Sequence, residues 1–258
     1  MSYPLSIWSS MLVGLLPGTA QRNPPNAEAI LRKMAAVYGE CNSYRDRGTI
    51  VREFRGGSSF KDTKTFSTLF VRPHRFRFEL NTDPTDVMPQ RYVIWRTGPE
   101  ARSWTSLRSG VHMDKSLARA IAGAEFASGG SASRIPRLLK RYEFEDSRIV
   151  GLGISFTGVA DLTGIQLKGL QPRLGRQCYQ ITGRQLDERH TLWIDSQTHL
   201  LRAIEATRKS GPDLVVEITT YHPEINKPIS TPEFRFTPPH ARSSIPPSAA
   251  IPSKQYRQ

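Results

Sequence analysis

The chain has 258 residues, of which 38% are hydrophobic and 23% are charged, so it is long and apolar enough to bury a sizeable core. This composition excludes a collagen-like chain, a disulfide-rich mini-protein and a chain disordered throughout, and without an apolar run of about 18 residues we expect no transmembrane helix. Thirty-six Lys and Arg against 23 Asp and Glu give a net charge of +13, which indicates an anionic partner, either nucleic acid or a lipid surface.

The N-terminus has the features of an export signal. Residues 5–16 form a mostly apolar stretch of secretory length, and small residues precede a cleavage position after Ala20. Ala27-Glu28-Ala29 offers a second cleavage position, although the first four residues carry no Lys or Arg. We predict that residues 1–20 are a signal peptide and that the protein is periplasmic. The alternative is a buried apolar N-terminal segment.

Hydrophobic periodicity predicts one helix and then a series of strands. Residues 27–39 carry apolar side chains at helical spacing, and Asn26 precedes them as an N-cap. The period then changes to two, which predicts strands over 44–54, 59–71, 75–80, 92–96 and 101–107. Residues 75–78 alternate strictly, so their two Phe rings belong on one face and their two guanidinium groups on the other.

A helical insertion and a second set of strands follow. Helical spacing predicts helices over 115–126, with Asp114 as its N-cap, and over 133–144. Strands return at 176–183, 191–195, 200–208 and 214–221, and Phe234 and Phe236 close the series. Residues 241–258 are rich in Ser, Pro and basic residues, which predicts a disordered tail. Strands without crossover helices form an antiparallel sheet or open barrel, so we predict one mainly β domain of the α+β class over 21–240.

Motifs that would support catalysis or cofactor binding do not occur. The sequence contains no GxSxG, no Gly-rich phosphate loop, no GxGxxG and no HExxH, and its six histidines are scattered. No His or second Cys stands at metal-ligand spacing from Cys41 or Cys178. We therefore expect no enzymatic activity, no metal and no cofactor. The two cysteines either form a disulfide, which export would allow, or remain buried thiols.

The basic residues do not favour nucleic acid as the partner. They are spread along nearly every predicted strand rather than gathered in one block, and no RRM, KH or zinc pattern accompanies them. Export would also remove most nucleic acid from reach. An anionic lipid surface would attract the same positive charge.

Three motifs resemble the bacterial outer-membrane lipoprotein carriers, the LolA/LolB-like family. Residues 70–78, FVRPHRFRF, resemble the family's Arg-Pro at a strand end followed by an aromatic strand. Residues 92–104 resemble its hairpin with a Gly turn and a Trp, and residues 234–239, FRFTPP, resemble its closing strand. The order of elements over about 27–240 is also similar to that of the family.

The resemblance implies an unclosed, strongly curved antiparallel β-barrel with a helical lid over an apolar cavity. It implies a monomeric carrier that moves lipid or acylated lipoprotein toward the outer membrane, with inner- and outer-membrane envelope proteins as partners. Arg72 matches the family's Arg that bonds lid backbone from a strand end, and Tyr38 is the facing group. The remaining cavity and lid residues so implied are Met34, Phe76, Phe78, Trp95, Trp104, Leu117 and Ile121.

Two alternatives to this interpretation remain open. Aromatic stripes usually fill a solid core, and the same residues would then line no cavity. A fold also does not determine a function. The same architecture would suit an envelope-stress sensor, another interaction module or an envelope enzyme.

Overall fold

The structure is a computed structural model that describes residues 26–139 and 162–239, except residues 58, 84, 86–89, 126 and 129. The predicted signal peptide (1–20) and the predicted tail (241–258) lie outside the described residues, as does the end of the second predicted insertion helix (140–144).

The described residues form three α-helices and twelve β-strands. The helices are α1 (Ala27–Glu40), α2 (Leu117–Glu125) and α3 (Ser131–Leu139). The strands are β1 (Ser43–Arg55), β2 (Phe60–Val71), β3 (Arg75–Thr82), β4 (Arg91–Arg96), β5 (Ala101–Thr105), β6 (His112–Asp114), β7 (Thr163–Arg173), β8 (Arg176–Gln185), β9 (Glu188–Asp195), β10 (Leu201–Ser210), β11 (Asp213–Tyr221) and β12 (Glu224–Ile225). A short 3-10 helix, Thr231–Phe234, follows. Within the described ranges, none of the helices is long and apolar enough to cross a membrane.

Helix α1 begins and packs as its sequence predicts. The Asn26 side chain accepts a 2.7 Å hydrogen bond from the Ala29 amide, which supplies one of the partners that a helix N-terminus needs. Ile30, Met34 and Tyr38 recur every four residues and are all buried. This apolar stripe attaches α1 to the sheet.

The strands form one antiparallel sheet. Its order is β6-β5-β4-β3-β2-β1-β11-β10-β9-β8-β7, and β12 pairs with β1. Its two edge strands, β6 and β7, do not pair with each other among the described residues, so the sheet is not closed. Helix α1 contacts β7, α2 contacts β4, β5 and β6, and both contact α3.

Because both edges of the sheet reach the same helical layer, the sheet curves around that layer. The structure therefore confirms the predicted fold class: mainly β, an unclosed and curved antiparallel barrel with its helices on the concave face. The alternation predicted for residues 75–78 is confirmed as well. Phe76 and Phe78 are buried in the core, whereas Arg77 on the other face donates two 3.0 Å hydrogen bonds, to the carbonyls of Glu233 and Arg235.

The structure corrects the predicted start of α2. Asp114 is not its N-cap, because it lies in β6 paired with Ala101 and accepts a 3.3 Å hydrogen bond from the Ser103 hydroxyl. The helix begins at Leu117, and the Ser116 hydroxyl accepts a hydrogen bond from the Arg119 amide. A serine thus takes the capping position predicted for the aspartate.

Two other elements differ from the predictions. Strand β7 was not predicted from the sequence. Its side chains alternate in exposure over residues 164–170, but its register against β8 shifts twice, and Gly164 and Gly169 adopt positive φ angles of 59° and 109°. Phe234 and Phe236 do not form a closing strand. Phe234 ends the 3-10 helix, which contains Pro232, and Phe236 follows in an irregular segment.

The cysteines are free thiols. Cys41 lies in the main core cluster, between the helices and the sheet. Cys178 lies in a separate cluster with Trp193 and Ala203. Of the two alternatives open from the sequence, the structure therefore supports buried thiols.

Candidate functional site

The candidate site is the interface between the three helices and the concave face of the sheet. Six of the nine side chains implied for the cavity and lid meet there in one core cluster, each at most 2% exposed: Met34, Tyr38, Phe76, Phe78, Leu117 and Ile121. They come from two helices and one strand that are distant in sequence. The fold therefore brings together most of the predicted set.

Trp95 and Trp104 lie on the opposite face of the sheet. Trp95 pairs with Arg77, whereas its neighbour Ile94 pairs with Phe78 and faces the core. Successive side chains of a strand point to opposite faces, so Trp95 points away from the helices. The Phe236 ring lies 5.2 Å from the Trp95 ring and 5.4 Å from that of Trp104. These two residues are thus wrongly placed by the sequence interpretation and belong to an outer aromatic cluster.

Arg72 connects the ends of two helices to the end of β2. Its guanidinium donates to four main-chain carbonyls, by Nε to Cys41 (2.7 Å) and by Nη2 to Gly39 (2.5 Å), Leu139 (2.9 Å) and Tyr38 (3.2 Å). Three of these carbonyls belong to the C-terminal turn of α1 and its cap, and Leu139 is the last described residue of α3. Carbonyls at helix C-termini lack hydrogen-bond donors within their own helix, and here a single side chain supplies those donors.

The position of Arg72 follows from its neighbours. Its amide donates a 3.0 Å hydrogen bond to the Asn42 carbonyl, and its guanidinium carbon lies 5.3 Å from the centre of the Phe70 ring. Pro73 follows directly, where no amide proton is present.

Nearby, burial raises the pKa of the Cys41 thiol despite the opposing charge of Arg72.

Tyr38 forms a second link between α1 and the sheet. Its hydroxyl accepts a 3.1 Å hydrogen bond from the Leu201 amide in β10, and its ring lies 5.6 Å from the ring of Tyr44. The residue is completely buried, and burial raises the pKa of its hydroxyl. The side chain of Tyr38 and its carbonyl, bound to Arg72, therefore hold the C-terminal half of α1 from two directions.

Sequence reasoning missed a buried polar cluster beneath the helices. Asp46 is 1% exposed in β1, and its Oδ1 accepts a 2.8 Å hydrogen bond from the His222 amide. Asp46 Oδ2 and the hydroxyls of Tyr44 and Tyr221 form no hydrogen bond of regular geometry among the described residues. The Tyr44 hydroxyl nevertheless interacts with the Asp46 carboxyl, and the Tyr221 hydroxyl interacts with Arg134. Burial raises the pKa of Asp46 to about 7. The signal that would have found Asp46 is its place in the alternation, between inward-facing Tyr44 and Ile50.

An ionic network connects α3 to the middle of the sheet. Glu217 in β11 accepts hydrogen bonds of 3.0 and 2.6 Å from Nε and Nη2 of Arg52 in β1. Its other carboxylate oxygen lies 3.8 Å from Arg134 of α3, whose Nη1 donates to the Thr219 hydroxyl at 3.3 Å. Helix α3 is therefore held by charged contacts along its length and by Arg72 at its C-terminus.

The requirements of metal and small-molecule sites can be compared with the described residues. In the part of the chain that the structure describes, no group of three His, Cys, Asp or Glu side chains is placed to hold a metal ion. A pocket of about 90 Å³ lies beside Trp95 on the outer face. This volume is far below the roughly 300 Å³ at which small-molecule pockets begin.

Comparisons with known proteins give structural similarity at low sequence identity. No family model matches the chain, and no curated protein matches its sequence. The chain is similar to a chain of the MucA/MucB complex of Pseudomonas aeruginosa, with 13% identity, a TM-score of 0.42, and coverage of 81% of this chain and 60% of that chain. It is similar to LprF from Mycobacterium bovis, with 11% identity, a TM-score of 0.41, and coverage of 79% and 94%.

A LolA superfamily protein from Nitrosomonas europaea is also similar, with 13% identity, a TM-score of 0.31, and coverage of 83% of this chain and 99% of that one. The family resembled by the sequence motifs is therefore present among the similar structures. The match spans less than two thirds of the Pseudomonas aeruginosa chain. Identities and TM-scores this low carry no argument about function.

Proposed function

We propose that the protein is a periplasmic carrier that binds the acyl chains of a lipid or lipoprotein between its helices and the concave face of its sheet. It releases this cargo toward the outer membrane. The observation that carries the proposal is the Arg72 clamp, in which one side chain holds the C-terminal ends of both α1 and α3. A movement of this one side chain breaks contacts of both helices at once.

The energies of the two states support a carrier. The closed state is held by hydrogen bonds to a charged group, each worth about 1.5–3 kcal/mol. Burying a methylene group is worth roughly 0.8 kcal/mol, so a stretch of about ten methylenes contributes on the order of 8 kcal/mol. The four clamp bonds together amount to roughly 6–12 kcal/mol, so an acyl chain that enters between the helices and the sheet contributes an amount comparable to the loss of the clamp. The clamp favours release once a better acceptor is present.

The buried interface also supports a second candidate function. Its ionic contacts, from Arg52 through Glu217 to Arg134, suit an interior that stays closed. With such an interior the protein would be an envelope interaction module with a solid core.

Native mass spectrometry of the full chain, purified from the cell envelope, separates the two candidates. The carrier predicts a co-purifying mass that fragments to a phospholipid or an acylated peptide. A protein that is ligand-free in every preparation, and that takes up no fluorescent fatty-acyl probe afterwards, contradicts the carrier and supports the interaction module.

A further inference from the structure

Large exposed hydrophobic side chains are concentrated at one end of the sheet. Among the described residues there are eight of them, and six lie in or next to four hairpin turns: Phe60, Leu107, Val111, Met113, Leu186 and Leu214. We name this region the hairpin rim and define it as residues 53–61, 105–113, 184–189 and 208–214. The other two, Leu170 and Leu174, lie at the turn between β7 and β8.

The strand register places the four turns at the same end of the sheet. Arg55 at the end of β1 pairs with Leu214 at the start of β11, so the β1–β2 and β10–β11 turns are neighbours. The β8–β9 turn, which begins after Gln185 pairs with Glu188, lies at the same end on the far side of β10. On the other side of β1, antiparallel pairing through β2, β3 and β4 brings the β5–β6 turn to this end as well. Arg72, at the far end of β2, lies at the opposite end.

The charge on the hairpin rim is positive. The rim carries seven cations, all exposed, against four carboxylates: Arg55, Lys61, Arg108, Arg184, Arg189, Arg208 and Lys209 are the cations. Two of these cations are paired within the rim, Arg55 with Glu53 and Arg208 with Glu188, and Asp213 accepts from the Gly57 amide. Seven cations minus four carboxylates leave the rim with a net charge of +3. Asp187 is the one exposed carboxylate within the described part of the rim.

We propose that the hairpin rim docks the protein on an anionic lipid bilayer. The apolar side chains stand on separate turns, each with cations beside it, rather than in one flat patch. A bilayer interface suits this arrangement, because single apolar side chains enter the acyl boundary while Lys and Arg stay among the headgroups. Salt screens the attraction between these cations and an anionic surface, so binding is reversible and sensitive to ionic strength.

The proposal does not depend on the contents of the helix–sheet interface. A protein that binds no cargo would still dock through the hairpin rim. The rim also lies at the end of the sheet opposite the Arg72 clamp, so variants at the rim leave the clamp contacts in place.

The chain offers a matched pair of variants for the test. Leu186 is 77% exposed at a turn position with a φ of 52°, and Leu174 is 46% exposed at the equivalent turn position with a φ of 51°. Asn tolerates this left-handed conformation, so Leu→Asn is accommodated at both turns. Leu214 and Leu170 are both exposed strand residues, where Thr fits. The rim variant is therefore Leu186→Asn with Leu214→Thr, and the control is Leu174→Asn with Leu170→Thr.

Co-sedimentation with vesicles tests the proposal. The wild-type protein is expected to bind phosphatidylglycerol-containing vesicles and to bind pure phosphatidylcholine vesicles weakly, with binding reduced by added salt. The rim variant is expected to lose about tenfold in vesicle affinity, whereas the control retains wild-type affinity. Equal loss in both variants, no loss in the rim variant, or wild-type protein that binds neither vesicle would overturn the proposal.

Discussion

Arg72 and Leu139 are 67 residues apart in the chain and are joined by a 2.9 Å hydrogen bond from the guanidinium Nη2 to the carbonyl oxygen. Leu139 is the last described residue of α3, and the same nitrogen bonds carbonyls of α1. The two helices meet at one side chain of the sheet. The stability and the ligand response of the helical layer should therefore depend on a few buried polar contacts, and these can be tested one at a time.

Tyr38 and Tyr44 provide a matched pair for the link between α1 and the sheet. Both are completely buried, but the Tyr38 hydroxyl accepts a hydrogen bond from the Leu201 amide, whereas the Tyr44 hydroxyl interacts with the Asp46 carboxyl without a hydrogen bond of regular geometry. Tyr38→Phe leaves a buried amide unsatisfied and should cost about 1–3 kcal/mol in the free energy of unfolding. Tyr44→Phe leaves no main-chain amide unsatisfied and should cost less than Tyr38→Phe. Urea unfolding of both variants checks the contrast, and equal losses would contradict it.

Asp46 should make stability fall as the pH rises from 5 to 7. Burial raises the pKa of its carboxyl from 3.8 to about 7, so the folded protein holds this proton more tightly than the unfolded chain. The unfolded state loses its proton first as the pH rises, and folding becomes less favourable until the folded pKa is passed. At about 1.4 kcal/mol per pKa unit, the loss between pH 5 and pH 7 is roughly 2 kcal/mol.

Asp46→Asn removes this contribution and leaves the other titrating groups in place. Burial lowers the pKa of the His199 imidazole, but this group is common to both proteins. The difference in the free energy of unfolding between wild type and variant, measured by chemical unfolding at several pH values, should change by that amount from pH 5 to pH 7. A difference that is constant from pH 5 to pH 7 would show that Asp46 does not carry a raised pKa.

Gly48 should tolerate no side chain. A Cβ at this position would overlap the Thr220 carbonyl oxygen and the Phe66 ring, because that ring lies directly against the glycine. Gly48→Ala should therefore destabilise the protein by about 1–3 kcal/mol or more through overpacking. Gly39 in α1 has no atom within 4 Å of an added Cβ, so Gly39→Ala is the control and should be neutral or stabilising. Thermal unfolding compares them, and similar melting temperatures would contradict the packing described for Gly48.

Much of the fold was predictable because local signals and tertiary demands agree. The helical stripe ending at Tyr38 and the alternation of residues 75–78 each depend on side chains close in sequence. Strand β7 was not predictable in this way, because before Gly169 only Ile165 and Leu167 supply apolar side chains at alternate positions.

The site was only partly predictable, for a different reason. Residues 92–95 are apolar on both faces of β4, so the sequence does not indicate which face meets the helices. In the structure, the segment around Phe236 packs on Trp95 from the outer side of the sheet. This contact joins residues that are distant in the chain, so the local sequence does not indicate it. Asp46 was missed because a single carboxylate among apolar residues does not disturb the period of two that predicts a strand.

The direct test of the carrier is the release of a fluorescent fatty-acyl probe from Arg72→Leu. The clamp bonds exist only in the closed state, so removing them favours the open state and should slow release, while the folded protein shows a lower melting temperature. Arg72→Lys keeps the positive charge but lacks the several N–H donors of a guanidinium. Its rate of probe release should therefore lie between those of the wild type and Arg72→Leu.

Arg75→Leu is the matched control. It lies at the start of β3, and on the outer side of the sheet its guanidinium donates to the Thr231 hydroxyl. The account predicts slower probe release from Arg72→Leu and wild-type release from Arg75→Leu. Release from a folded Arg72→Leu protein at the rate of the wild type would contradict the clamp and, with it, the carrier mechanism.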